Sequence, residues 1–163
     1  MPIIKITTFI ESSIEIVFDL SRSIDLHKIS TEKTNEEAIA GITTGLISLD
    51  EWVTWRAKHF GIYQKLTSKI TAFERPNSFT DEMVKGTFKS FKHQHIFKET
   101  ENRVEMIDIF EYKSPFGIFG KLVDTIFLES YMTNLLKERN QIIKEFAESD
   151  KWKMVLEENS YKP

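Results

Sequence analysis

Apolar positions fall into three regimes along the chain. Residues 3–10, IIKITTFI, are β-branched and apolar and predict a first strand. After Glu11-Ser12-Ser13, the apolar residues Ile14, Val17, Phe18 and Leu20 are spaced by three and four. That spacing predicts a short helix with Ser12 or Ser13 as its N-cap. A second short helix is expected over Ile24–Ile29, followed by a polar loop at 30–37, STEKTNEE. From Ala38 to Tyr112 the period becomes two. Val53, Trp55, Ala57 and His59 alternate with Trp52, Thr54, Arg56 and Lys58, so one face of this strand is buried. Gly61 permits a tight turn into Ile62, Gln64, Leu66, Ser68 and Ile70, opposite an outward row that includes Tyr63. Arg75-Pro76-Asn77 ends that strand, since proline cannot donate to a ladder. Further strands are expected over Phe79–Lys85, Phe88–Lys98 and Val104–Tyr112, making an antiparallel meander. Ser114-Pro115-Phe116-Gly117 breaks the sheet. Beyond it, Phe119, Leu122, Val123, Ile126, Phe127, Tyr131, Leu135, Ile142, Ile143 and Phe146 recur near the helical period, with no Gly or Pro between Lys121 and Asp150. The expectation is one amphipathic helix of about 26–30 residues, some ~40 Å long. The tail from Lys151 contains Trp152, Met154, Val155 and Leu156; it either docks as a short helix or frays.

Composition changes this picture little. The 163 residues suit one domain, taken as 1–150 with a tail at 151–163, and only six Gly and four Pro argue against linkers. Thirteen Phe imply a thick core or an aromatic-lined cavity. A net charge of −3 with interspersed signs offers no basic face for nucleic acid. The absence of Cys removes disulfides, thiol catalysis and thiolate metal sites. No apolar run approaches the ~20 residues of a membrane helix, so stable membrane insertion is not expected. The start MPIIKITTF lacks a basic segment followed by an apolar one, so the chain reads as cytoplasmic.

Three stretches carry a resemblance: Phe79-Thr80-Asp81-Glu82-Met83, Phe91-Lys92-His93-Gln94-His95-Ile96-Phe97, and Asp108-Ile109-Phe110-Glu111-Tyr112-Lys113-Ser114-Pro115-Phe116-Gly117. With Arg139 in the last helix, and with the element order above, they resemble the START-like (helix-grip) superfamily over about residues 3–148. That superfamily includes the polyketide-cyclase, pollen-allergen and coenzyme-Q-binding branches. The resemblance is strongest to small bacterial proteins described only as ligand-binding. It implies an α+β fold in which a curved antiparallel sheet wraps a long C-terminal helix, with two short helices after the first strand. It also implies a cavity between sheet and helix suited to a lipid-like or polyketide-like molecule.

The candidate chemistry follows from strand alternation. His93 and His95 lie two apart, on one face with Phe91 and Phe97. On the flanking strands, Phe79, Asp81 and Met83 share a face, as do Met106, Asp108, Phe110 and Tyr112; His59 adds another titratable group. Four readings compete for Asp81, His93, His95 and Asp108. They form a buried polar network, recognise the polar end of a ligand, act as a catalytic His–Asp pair, or ligate zinc or iron. The fold family does not usually carry a metal and His-x-His alone is a weak motif, so neither metal nor cofactor is assigned. Cavity contacts are expected from Trp55, His59, Asp81, Met83, Phe91, His93, His95, Phe97, Asp108, Phe110, Tyr112, Phe127 and Tyr131. Arg139 pairs either with a surface glutamate, Glu138 or Glu145, or with a sheet carboxylate. The expected partner is a small apolar or amphipathic molecule bound by a monomer or weak homodimer. An enzyme of the cyclase, dehydratase or hydrolase kind is the rival. An interaction module using the Gly117–Phe119 loop and the Trp152 tail is a third possibility.

Overall fold

The computed structural model describes residues 1–114 and 127–157. In chain order these form β1 (Ile3–Ile10), α1 (Ile14–Ser21), α2 (Ile24–Ser30), one 3-10 turn (Glu32–Thr34), β2 (Glu37–Gly41), β3 (Trp52–His59), β4 (Ile62–Glu74), β5 (Ser78–Lys85), β6 (Ser90–Thr100) and β7 (Arg103–Lys113). Two helices follow, α3 (Glu129–Ala147) and α4 (Lys151–Leu156). The class is α+β. The strands make one antiparallel sheet in the order β1-β7-β6-β5-β4-β3-β2, so the first strand joins the last and the rest run as a meander.

Local chemistry sets the element ends. Ser13 caps α1, its side chain accepting from the Ile16 amide, and Ser23 caps α2 through the Leu26 amide. Ser13→Ala is expected to cost about 1 kcal/mol in a urea-unfolding measurement, the usual worth of such a cap. His59 pairs directly with Ile62 across a two-residue turn whose residues Phe60 and Gly61 both have positive φ, 52° and 77°. That turn matches the right-handed twist of its strands. The register slips between Thr67 and Ser68 and between Ile70 and Ala72 where β4 meets β5, and between Ala38 and Ala40 in β2. Such bulges bend strands, and they make the sheet concave.

The core lies in two parts. The larger gathers Ile10, Val17, Phe18, Leu20, Ile24, Leu26, Phe97, Met106 and Ile143. At its centre, Phe18 sits edge-on to Phe73, Phe79 and Phe97 at centroid separations of 5.3–5.5 Å. The smaller holds Ile4, Phe91, Phe110, Tyr112 and Leu136, with Phe88 and Met83 against it. Helix α3 packs chiefly on β1, α1 and α2, which leaves the concave face of the middle strands without a flush partner.

Several details refine the sequence expectation or decide what it left open. Among the described residues the C-terminal helix runs as α3 over 19 residues; the earlier part of the expected 26–30-residue helix falls in the segment 115–126, with Gly117, Gly120, Phe119, Leu122, Val123 and Ile126, which lies outside the described residues. At its other end the helix stops at Ala147 without Gly or Pro, and Ser149 Oγ donates back to the Glu145 carbonyl. The expected loop at 30–37 contains the 3-10 turn and the first residue of β2. The tail docks as α4, burying Val155 in the larger core with Trp152 and Leu156 against it. No helix among the described residues is long and apolar enough to cross a membrane.

Candidate functional site

Between the concave face of the middle strands, the α1–α2 corner and the start of α3 lies a cavity of about 460 Å³. Apolar walls come from Trp55, Leu66, Ile70, Phe79, Phe91 and Phe110 on the sheet and from Leu128, Met132, Leu135 and Leu136 on the helix side. All four histidines of the chain border it: His27, His59, His93 and His95.

One polar group is carried by β5, β6 and β7. The ladder places Asp81 beside His93 and His95 beside Asp108, so four inward side chains converge. His93 Nε2 donates to Asp108 Oδ1 at 2.9 Å, and His95 Nε2 lies 3.0 Å from Asp81 Oδ1. His95 Nδ1 is also 3.0 Å from Asp108 Oδ1, at an angle too bent for a hydrogen bond. The two imidazoles lie 3.8 Å apart, and His95 stacks on Phe79 at 4.1 Å. Behind them the helix supplies the counter-charge. Arg139 Nη1 approaches Asp108 Oδ1 at 3.5 Å and donates to Asn140 Oδ1 at 3.1 Å, while Nη2 donates to the Ser21 carbonyl at 3.0 Å. Asn140 Nδ2 donates to Asp108 Oδ2 at 2.7 Å.

The environment sets the protonation states. Burial alone would raise Asp108, yet the His93 hydrogen bond, the close His95 ring and the Arg139 charge hold its carboxyl well below the usual carboxylate range. Asp81 is lowered too, burial being outweighed by His95 and the nearby positive charge. His93 is lowered, chiefly because burial disfavours the imidazolium, so it is neutral near pH 7.

A second polar group lies nearer the exposed rim. His59 Nδ1 and the Tyr131 hydroxyl share a hydrogen bond of 2.8 Å. Burial lowers His59 and raises Tyr131. His27 Nε2 stands 3.3 Å from Glu36 Oε1, and its ring lies 4.3 Å from that of Trp55. Burial would raise Glu36, but His27 and His59 lower it. Phe60 and Phe127, each more than half exposed, close 5.3 Å apart at this rim, and Phe60 sits 4.7 Å from Tyr131.

No protein-family model matches the chain, and no curated protein matches it. Solved structures do match. A Thermus thermophilus protein, TTHA0849, superposes with a TM-score of 0.68 at 16% identity, over 87% of this chain and 97% of that one. The major latex-like protein 151 of Panax ginseng gives 0.66 at 14% identity, over 90% and 97%. Protein CV1439 of Chromobacterium violaceum gives 0.68 at 8% identity, over 91% and 98%. The fold is the helix grip. Identities this low speak for architecture, and function has to be argued from the site.

Within this helix grip, eight residues expected at the cavity line it: Trp55, His59, Asp81, Phe91, His93, His95, Phe110 and Phe127. Five others do not. Phe97 is sealed against Phe18 in the larger core, toward the far end of β6. Tyr112 is fully buried under Phe88 in the smaller core, with 5.5 Å between the rings. Met83 packs into that same cluster. Asp108 is on the inner face but lies beneath the two histidines, with no exposed surface. Tyr131 does not line the space itself but touches the lining residues His59, Phe60 and Phe127. Arg139 takes the sheet carboxylate and not a surface glutamate. Asn140, His27 and Glu36 are additions that the sequence reading does not contain. Asn140 has a readable signal, because it continues the buried row Leu136, Asn140, Ile143, Ala147 of α3. His27 has a weaker one, lying three residues after buried Ile24 on α2, and Glu36 has none in its polar run.

Proposed function

We propose that this chain binds a small apolar or amphipathic molecule in the cavity between sheet and helix. The observation that carries the reading is the space itself. At about 460 Å³ it falls within the roughly 300–1,000 Å³ typical of ligand sites, and its apolar walls carry a few fixed polar groups. The walls suit a lipid-like or polyketide-like body. His93, His95 and Asp81 suit one polar substituent, and His27, Glu36 and His59 suit another. Both groups are already ordered by their own hydrogen bonds and ion contacts, which lowers the entropy lost on binding.

Native mass spectrometry of the purified chain tests this reading. It is expected to show an apolar molecule retained at one per chain, or, after extraction, a rise in melting temperature with some fatty acid, sterol or aromatic polyketide. Neither a retained species nor any such rise would overturn it.

Phe60 bears on how the ligand is held. A bulky residue in the left-handed region costs about 1–2 kcal/mol, so the ring contacts with Phe127 and Tyr131 must be useful at the rim. Phe60→Asn is expected to change stability by less than about 1 kcal/mol, since relieved strain and lost ring contact offset each other. The dissociation rate of a bound probe in stopped-flow fluorescence should rise severalfold.

A further inference from the structure

We propose that Asp81, His93 and His95 form a binding site for one divalent transition-metal ion of the zinc or iron(II) class, with Asp108 as the acceptor that orients the histidines behind it. The three residues offer one ligand atom each, all within 4.8 Å of one another. Two of the separations are 3.0 Å, from Asp81 Oδ1 to His95 Nε2, and 3.9 Å, from Asp81 Oδ1 to His93 Nδ1. An ion with bonds of about 2.1 Å sets tetrahedral ligand atoms about 3.4 Å apart. Those two separations therefore need shifts of only about half an ångström.

The ring nitrogens supply an independent reason. His93 spends Nε2–H on Asp108, which leaves the Nδ1 lone pair on the Asp81 side. His95 has a carboxylate oxygen 3.0 Å from each ring nitrogen, Asp81 on Nε2 and Asp108 on Nδ1. In a neutral ring one proton serves two such oxygens, a conflict that either a second ring proton or a cation resolves. A cation between Nε2 and Asp81 removes that conflict and lets Nδ1–H turn to Asp108. Both ligating histidines then donate their second nitrogen to one buried carboxylate, the arrangement that fixes tautomer and ring orientation in metal sites. Asp108 is in turn held by Asn140 and Arg139. Two carboxylates with one guanidinium also leave the cluster short of positive charge. The donor set of two nitrogens and one oxygen suits zinc or iron(II) over calcium or magnesium. Its remaining positions open into the cavity, since Asp81, His93 and His95 all line it.

The test uses the full chain, stripped with chelator and titrated with zinc alone by calorimetry, with cobalt(II) absorption as a probe of coordination. One zinc per chain is expected to bind, with cobalt bands indicating four or five ligands. Asp81→Asn, a cavity-facing change that keeps the shape, should weaken zinc at least tenfold, and His93→Gln likewise if circular dichroism shows it folded. Asp108→Asn should weaken zinc about 10–100-fold while leaving one ion per chain. His27→Gln and His59→Gln should leave affinity unchanged. The inference is overturned if the folded chain binds no zinc stoichiometrically, if Asp81→Asn binds as tightly as the parent, or if affinity is lost with His27 or His59. Because the probe is the metal alone, failure here leaves the apolar-ligand reading standing.

Discussion

Asp108→Ala is expected to destabilise the domain by about 3–5 kcal/mol, measured as the fall in unfolding free energy in urea. Asp108 has no exposed surface and Arg139 is 7% exposed, so the guanidinium cannot turn to water when its counter-charge goes. It would keep only the Ser21 carbonyl and Asn140 Oδ1. Asn140 would lose its 2.7 Å partner at the same time. The cost is that of a stranded buried charge, which a double variant can separate from the worth of the pair. Asp108→Leu combined with Arg139→Met should recover most of the loss, because replacing both charges by apolar groups removes two desolvation penalties. A loss below about 1 kcal/mol for the single variant would show that Asp108 is not the counter-ion of Arg139.

The second large effect concerns the cavity. Ala57 lies on the inner face of β3 between Trp55 and His59, buried and lining the space. Ala57→Phe would project a ring into the void, so overpacking strain should be small and stability should change by less than about 1 kcal/mol, against the 1–3 kcal/mol of a filled core. Ligand affinity should fall about 100-fold, equivalent to ~2.7 kcal/mol, as read by displacement of an apolar fluorophore. Equal affinity in the variant and the parent would place the ligand elsewhere.

Much of this architecture is legible in the sequence, for a simple reason. A period of two states which face a strand residue occupies, and that alone brings Asp81, His93, His95 and Asp108 to one side of the sheet. The same rule is silent on depth and on position along the strand. It therefore cannot separate Asp81, which faces the cavity, from Asp108, which lies under the histidines. Nor can it tell Phe91, on the cavity wall, from Phe97, sealed against Phe18. Arg139 announces itself by interrupting an apolar rhythm, whereas Asn140 is marked only by its place in the buried row of α3. His27 and Glu36 reach the cavity only because α2 and the turn after it fold across the end of β3, a tertiary fact with no local pattern. The helix end at Ala147 escapes the sequence because a serine side chain, not a glycine or proline, closes it.

The buried network also bears on catalysis. The imidazoles and carboxylates of β5–β7 are occupied with one another, and Asp108 is shielded from the cavity. Binding accounts for this arrangement without a reaction, and the helix grip by itself does not decide between the two.

The central claim is that a ligand occupies the space between sheet and helix. Methyl and indole NMR of the labelled chain, titrated with an amphipathic probe such as a medium-chain fatty acid, tests it most directly. Saturable one-to-one shifts at the Trp55 indole and at the Leu66, Ile70, Leu135 and Leu136 methyls are the expected result. Shifts confined to outward residues such as Trp52 and Val84, with the cavity methyls unmoved, would contradict it.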